Sequence, residues 1–77
     1  MDEIKLGKYQ HYKGNMYEVI GLARHSETLE EMVVYKALYD SSEFGMNALW
    51  IRPKTIFFEN VVVDGNEIPR FKFLGNN

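Results

Sequence analysis

The chain of 77 residues has no cysteine, only two prolines and no apolar run long enough to cross a membrane. Without cysteine, neither a disulfide nor a thiolate zinc site can hold the fold, and thiol catalysis is excluded. Apolar packing must therefore supply the stability, and a chain this short has room for one core. We expect a single domain over residues 1–77, ordered from about residue 5 to residue 74.

The N-terminus lacks the pattern of an export signal. Residues 1–5 (MDEIK) are polar and acidic, and no apolar stretch follows them. Together with the lack of cysteine, this favours a cytoplasmic location and no membrane partner.

The chain has little net charge, with a formal value of −2. That value disfavours a strongly electrostatic nucleic-acid binder, because such binders carry an excess of cations that pair with phosphates. Residues 5–25 are nevertheless locally basic, and residues 27–43 are acidic. Interleaved lysines and tyrosines can form a platform for single strands, so RNA or single-stranded DNA binding through residues 5–25 is an alternative. The structural alternative for these tyrosines, which we favour, is that Tyr9, Tyr12 and Tyr17 lie at the rim of a small barrel.

Aromatic residues are abundant, with five tyrosines, five phenylalanines and one tryptophan. Each can bury about 150–250 Å², which suits a small core without covalent support. Residues 16–25 alternate like a long strand, with a possible bend at Gly21, and Tyr17 shares a face with Val19. Residues 32–39 favour a strand over a helix because they are rich in β-branched and aromatic side chains. These two strands predict a hairpin whose register remains open.

Turn signals divide the rest of the chain into short elements. Pro53 ends a strand over residues 48–52 and suits the start of one helical turn. Asp64-Gly65 is typical of a type I′ turn in a β-hairpin. Because proline cannot donate to a ladder, Pro69 predicts that the final strand lies at a sheet edge or begins after this residue. The remaining predictions are a loop over residues 40–47, hairpin strands over residues 60–63 and 67–73, and a frayed tail over residues 75–77.

Five to six short antiparallel strands and one short helical turn predict an all-β or mainly β fold. The spacing of turns suits a small SH3-like barrel, and an OB-like barrel is the alternative. No glycine-rich phosphate cradle is present among the six glycines.

Six stretches together resemble an uncharacterised bacterial family, domain of unknown function 1653, over about residues 7–73. They are residues 7–14 (GKYQHYKG), 17–21 (YEVIG), 23–28 (ARHSET), 33–35 (VVY), 49–53 (LWIRP) and 69–71 (PRF). The resemblance implies a stand-alone bacterial cytosolic domain with an SH3-like barrel. It assigns no catalytic residue.

His25, Ser26 and Glu27 contain the residue types of a hydrolase triad. In a continuing strand His25 and Ser26 point to opposite faces, and no oxyanion donor is evident, which argues against a serine nucleophile. A metal site at His25 and Glu27 with His11 has too few ligands for zinc. We therefore predict no catalytic residue, no metal and no cofactor, and a polar turn at this position.

A more informative set combines arginines with aromatic residues. Trp50 and Arg52 lie two positions apart on one strand and should share a face. The candidate ligand-binding residues are Arg24, His25, Glu27, Tyr35, Trp50 and Arg52. The structural alternatives are Trp50 as the main core aromatic, which we favour for that residue, and Arg52 paired with Glu59 or Glu27.

The sequence therefore predicts a non-enzymatic binding module with a groove formed by these side chains. Arginines donate charge-assisted hydrogen bonds to carboxylates and phosphates, and aromatic rings stack on planar groups. The expected partner is a protein, peptide or nucleic acid that presents an acidic or planar group. A small hydrolase and a homodimer formed through an apolar face are further alternatives.

Overall fold

The structure, a computed structural model, describes residues 4–75. The prediction of disordered residues beyond Gly75 concerns residues outside that range. The described part of the chain contains β1 (Gly7–His11), β2 (Met16–Arg24), β3 (Glu31–Ala37), β4 (Asp40–Ser41), β5 (Gly45–Met46), β6 (Leu49–Pro53), α1 (Lys54–Phe57), β7 (Asn60–Val63), β8 (Asn66–Pro69) and β9 (Phe71–Gly75).

The predicted mainly β fold with one short helical turn is confirmed. Five strands form an antiparallel sheet in the order β6-β3-β2-β1-β9, and two small hairpins, β4-β5 and β7-β8, accompany it. The sheet is not closed into a barrel, because β6 and β9 are its two edges in the described residues. The chain leaves β6 through α1, whose Phe57 ring contacts Tyr35 of β3 and Phe71 of β9. The Phe57 ring thus packs between β3 and β9, whereas a closed barrel would have backbone pairing between the two edge strands.

The hairpin of β2 and β3 has a register that the sequence left open. Val19 lies opposite Tyr35, and Leu22 lies opposite Val33, with a bulge between Val19 and Gly21. The predicted bend at Gly21 therefore coincides with the bulge. Simple alternation along residues 16–25 would place Gly21 on the face of Val19, but the extra residue reverses the alternation, so Leu22 shares that face instead.

Local signals in the second half of the chain were mostly correct. Pro53 precedes α1, as expected of a residue with a fixed φ at a helix start. Asp64 and Gly65 both have positive φ (53° and 80°), as a type I′ turn requires. Pro69 lies in β8, whose only strand partner among the described residues is β7, so its edge position is confirmed.

Three predictions about elements need correction. The predicted strand over residues 67–73 is two strands, because Arg70 separates β8, which pairs with β7, from β9, which pairs with β1. The predicted loop over residues 40–47 contains the small hairpin β4-β5, in which the Ser41 hydroxyl accepts hydrogen bonds from two backbone N–H groups. Gly75 is not frayed, because it lies opposite Lys8 in the sheet. The strands in residues 4–75 therefore outnumber the five or six predicted.

The core is aromatic and lies on one face of the sheet. Phe57 is fully buried, and its ring stacks on Phe71 at 4.1 Å with 4° between planes. Tyr9 and Tyr35 contact the Phe57 ring by edge-on or tilted packing. The expectation of a rim position for Tyr9 is therefore wrong, since its ring is buried and its hydroxyl donates to the Lys5 carbonyl at 2.7 Å.

No helix in residues 4–75 is long and apolar enough to span a bilayer.

Candidate functional site

Arg52 lies on β6 at one side of the aromatic core. The sheet register places it opposite Val33 and places Trp50 opposite Tyr35, so Trp50 and Arg52 share the face that carries the core. The Arg52 Nε donates a hydrogen bond to the Tyr35 hydroxyl at 3.2 Å. Its Cζ lies 5.8 Å from the centre of the Phe71 ring, within the range of a cation–π contact.

Arg52 is half-buried and has no carboxylate partner within residues 4–75. The ion pairs within residues 4–75 are Lys36–Glu18, Lys54–Glu31 and Arg70–Glu59, and none includes Arg52. The alternative that paired Arg52 with Glu59 or Glu27 is therefore wrong. A guanidinium has five N–H donors, and the Tyr35 hydroxyl is the one acceptor that Arg52 has in the described chain. The other donors remain for solvent or a ligand.

His11 adds a titratable group to the same region. Its ring lies 4.9 Å from the Phe71 ring in an edge-on contact, because β1 pairs with β9 and places His11 opposite Phe71. Burial lowers the pKa of His11, and the positive charges of Arg52, Arg70 and Lys13 lower it further. The local potential around His11 is therefore positive, and the imidazole is held neutral.

Arg70 is a second half-buried arginine next to Phe71. One of its terminal nitrogens lies 3.3 Å from Glu59 Oε1, and its backbone N–H donates to the Glu59 carbonyl. Its Nε is buried and has no hydrogen-bond partner in the described residues. Unsatisfied buried donors are rare in proteins, but this N–H is too deeply buried to contact a ligand at the surface, so Arg70 contributes to the site through its charge. We refer to Arg52, Tyr35, Phe71, His11 and Arg70 as the Arg52 site.

Two tyrosine hydroxyls lie beside the Arg52 site. The Tyr17 and Tyr39 hydroxyl oxygens are 2.9 Å apart, and the Tyr17 ring contacts both Tyr35 and Phe71. Burial raises the pKa of Tyr17 to about 12, and the hydrogen bond with Tyr39 adds to the shift. Tyr17 therefore stays protonated, and its hydroxyl is a polar but uncharged group beside the Arg52 site.

The raised pKa of Tyr17 predicts a loss of stability in alkali. An unfolded tyrosine ionises near pH 10, so this stabilisation is complete below pH 10 and is lost as the pH rises toward about 12. Urea unfolding at pH 9 and at pH 11.5 should show a smaller loss for Tyr17→Phe than for the wild type. Tyr12→Phe, which changes an exposed ring, is the control. Equal losses in Tyr17→Phe and the wild type would contradict the prediction.

Trp50 is not the main core aromatic, contrary to the sequence-based preference. It is 36% exposed, and its ring packs edge-on against Phe44 at 5.2 Å. The core position belongs to Phe57, which follows Pro53 at the end of α1. An exposed indole on the same face as Arg52 offers a surface on which a planar group can stack.

Arg24, His25 and Glu27 lie at the turn between β2 and β3. The Arg24 Nη1 donates to the Leu29 carbonyl at 2.8 Å, and the His25 Nδ1 accepts from the backbone N–H groups of Glu27 and Thr28. The register places Arg24 two strand spacings across the sheet and two residues along the strand from Arg52. Their Cα atoms are therefore about 12 Å apart. The structure thus brings Tyr35, Trp50 and Arg52 together but not the other three, whose ligand-binding role stays a prediction.

Histidines and carboxylates do not gather into a candidate metal centre anywhere in residues 4–75.

Sequence reasoning missed His11, Arg70 and Phe71 as parts of the site. His11 was considered only as a metal ligand, and Phe71 only as a core residue. These residues meet because β9 pairs with β1, a contact between the two ends of the chain. Local periodicity carries no information about such a pairing. The basic–aromatic sequence Pro69-Arg70-Phe71 was the one available signal.

The fold and the site define a small all-β domain with a cationic, aromatic surface. The family model for a protein of unknown function, DUF1653, matches residues 7–73, so the chain belongs to that family. A similar solved structure is the crystal structure of a DUF1653 protein from Bordetella bronchiseptica. It is 37% identical, has a TM-score of 0.86, and the match covers 97% of this chain and 92% of that chain. No match was found among curated proteins.

Proposed function

We propose that this protein is a non-enzymatic binding module that recognises an acidic group at the Arg52 site. The observation that carries the proposal is the half-buried Arg52 guanidinium, which lacks a carboxylate partner in residues 4–75. Holding a cation away from water without a counter-charge is costly, and a bound anion removes that cost. A protein under no functional constraint has little reason to keep such a group.

The surroundings of Arg52 favour an anion over a cation or a neutral group. Burial is the largest cause of the lowered pKa of His11, and the nearby positive charges of Arg52, Arg70 and Lys13 lower it further. Arg52 is oriented by the Tyr35 hydroxyl, which accepts from Nε, so its terminal nitrogens can donate in parallel to two oxygens. Carboxylates and phosphates share this two-oxygen geometry.

Trp50 adds a preference for a planar acid. Trp50 and Arg52 side chains on one face of a strand are separated by about 7 Å. An aromatic acid can therefore stack on the indole while its carboxylate contacts Arg52. This arrangement supports the predicted recognition of an acidic or planar ligand and links the two properties in one molecule.

Isothermal titration with two probes tests the proposal. Inorganic phosphate and benzoate supply the two acids, and chloride at equal ionic strength supplies the baseline. We expect saturable binding in the millimolar range, equivalent to about 4 kcal/mol. Arg52→Ala should abolish binding and keep the dispersed amide spectrum of a folded chain.

Arg24→Ala is the matched control, because Arg24 is exposed and contacts only its own turn. It should bind both probes as the wild type does. Trp50→Leu should weaken benzoate and leave phosphate unchanged. Binding of neither acid, or equal losses from Arg24→Ala and Arg52→Ala, would overturn the proposal.

The alternative function in RNA or single-stranded DNA binding has its own distinct test. Cations of residues 5–25 lie at both ends of β2, with Lys13 over the Tyr12 ring at one end and Arg24 at the other. Such binding predicts that affinity for an oligonucleotide falls steeply with salt. An affinity that does not change with salt would reject it.

A further inference from the structure

β6 is an edge strand whose outer backbone groups make no backbone hydrogen bond within residues 4–75. The Ala37 N–H donates to the Ala48 carbonyl, so even-numbered residues at this edge direct their backbone groups toward β3. Leu49 and Ile51 therefore direct their N–H and C=O groups away from the sheet. No strand within residues 4–75 pairs with that side of β6.

The side chains at this edge are apolar and exposed. Leu49 and Ile51 are 65% and 62% exposed, and Phe44 and Met46 of the adjoining β4-β5 segment are similarly open. Soluble proteins usually protect an edge with charge, a bulge or proline. Pro53 lies at the end of β6, so residues 49–51 keep their N–H donors and proline does not protect this part of the edge. We refer to Phe44, Met46, Leu49, Trp50 and Ile51 as the edge patch.

We propose that two copies of this chain associate by antiparallel pairing of their β6 strands about a two-fold axis at Trp50. In this register Leu49 of each copy lies opposite Ile51 of the second copy. Each such pair exchanges two N–H···O bonds, which gives four in total. An axis at Leu49 would pair Ile51 with the turn residue Asn47. An axis at Ile51 would pair Leu49 with Pro53, which has no N–H to donate.

In this register the strand pairs apolar residues with apolar residues and opposes no like charges, which favours a second copy over a foreign strand. Arg52 lies opposite Ala48 of the second copy, so the pairing opposes no like charges. Leu49 and Ile51 meet across the axis and extend the apolar surface of one sheet into the next. The two Trp50 rings lie opposite each other on the other face, and aromatic pairs between strands are favourable. Isologous contacts of this kind are the commonest in homo-oligomers.

Sedimentation equilibrium from low micromolar to near-millimolar concentration tests this association. The expected result is a rise from the monomer mass of 9.0 kDa toward twice that value. Ile51→Lys should weaken association about tenfold or more, because a charge on an edge strand opposes pairing. The matched control is Val62→Lys, which puts the same charge on an equally exposed residue of β7 and should leave association unchanged.

Ile51→Pro provides a second variant that tests the backbone bonds directly. The Ile51 N–H faces away from β3, so its loss spares the sheet and removes two of the four intermolecular bonds. Amide exchange should also show protection of Leu49 and Ile51 that increases with protein concentration. A monomer at all concentrations, or a dimer that tolerates Ile51→Lys and shows no such protection, would overturn the proposal. Leu49 and Ile51 are not in the Arg52 site, whereas Trp50 is used by both the dimer and the stacking of a planar acid. Phosphate binding does not depend on Trp50, so failure here leaves anion binding to be judged with phosphate.

Discussion

Phe57→Ala should lower the free energy of unfolding by about 3–5 kcal/mol, the usual cost of removing a fully buried aromatic ring. Phe57 has no solvent exposure and contacts rings from three different strands: Tyr9, Tyr35 and Phe71. At about 0.05–0.15 kcal/mol per residue, a chain of 77 residues has only about 4–12 kcal/mol in total. We therefore expect Phe57→Ala to lose a large fraction of the total stability.

Phe58→Ala is the matched control for this prediction. Phe58 follows Phe57 in the chain and is 43% exposed, so the same chemical change removes less buried area and should cost less stability. Urea unfolding monitored by circular dichroism measures both variants. Equal stabilities of Phe57→Ala and Phe58→Ala would contradict the claim that the buried Phe57 ring stabilises the fold by packing between β3 and β9.

Arg52→Gln should weaken the binding of phosphate and benzoate by about 10–100-fold. A hydrogen bond to a charged group contributes about 1.5–3 kcal/mol, and glutamine keeps polarity but loses both the charge and the paired donors. Arg52→Lys keeps the positive charge but loses the paired N–H donors of the guanidinium, so its affinity should fall between those of Arg52→Gln and the wild type. Titration calorimetry gives the order of the three affinities.

Tyr35→Phe separates the orientation of Arg52 from its charge. This variant removes the hydroxyl that accepts from Nε and leaves the guanidinium in place. Affinity should fall severalfold, less than in Arg52→Gln. If Arg52→Gln and Arg52→Lys both bind as tightly as the wild type, Arg52 is a structural residue and the account of the site fails.

Elements with local signals were predictable from the sequence. Asp64-Gly65 specifies its turn through two positive φ values, and Pro53 favours the start of α1 through its fixed φ. The strand character of residues 32–39 followed from β-branched and aromatic side chains, and β3 occupies residues 31–37. Such features depend on neighbours in sequence and need no knowledge of the tertiary fold.

Features set by pairing between distant residues were not predictable. The bulge in β2 reverses the faces after Gly21, and no composition rule specifies where an extra residue enters a ladder. The division of residues 67–73 at Arg70 depends on two different partner strands, β7 and β1. The open sheet depends on whether β6 and β9, which are distant in sequence, pair with each other, and local patterns do not specify this.

The candidate site was half predictable for the same reason. Trp50 and Arg52 share a face by the two-residue period of a strand, and Tyr35 lies across from Trp50. Arg24 and His25 were grouped with them on residue type alone, yet β2 carries these side chains to the turn at its far end. His11 and Arg70 join Arg52 only through the β1–β9 pairing.

The Nε–Hε resonance of Arg52 during a phosphate titration tests the central claim most directly. The account predicts a saturable shift of this resonance, accompanied by a rise in the pKa of His11, because a bound anion offsets the cations that lower it. The Nε–Hε of Arg24 should follow the chloride baseline. A linear drift at Arg52 that matches both chloride and Arg24, with no change at His11, would contradict the existence of an anion site.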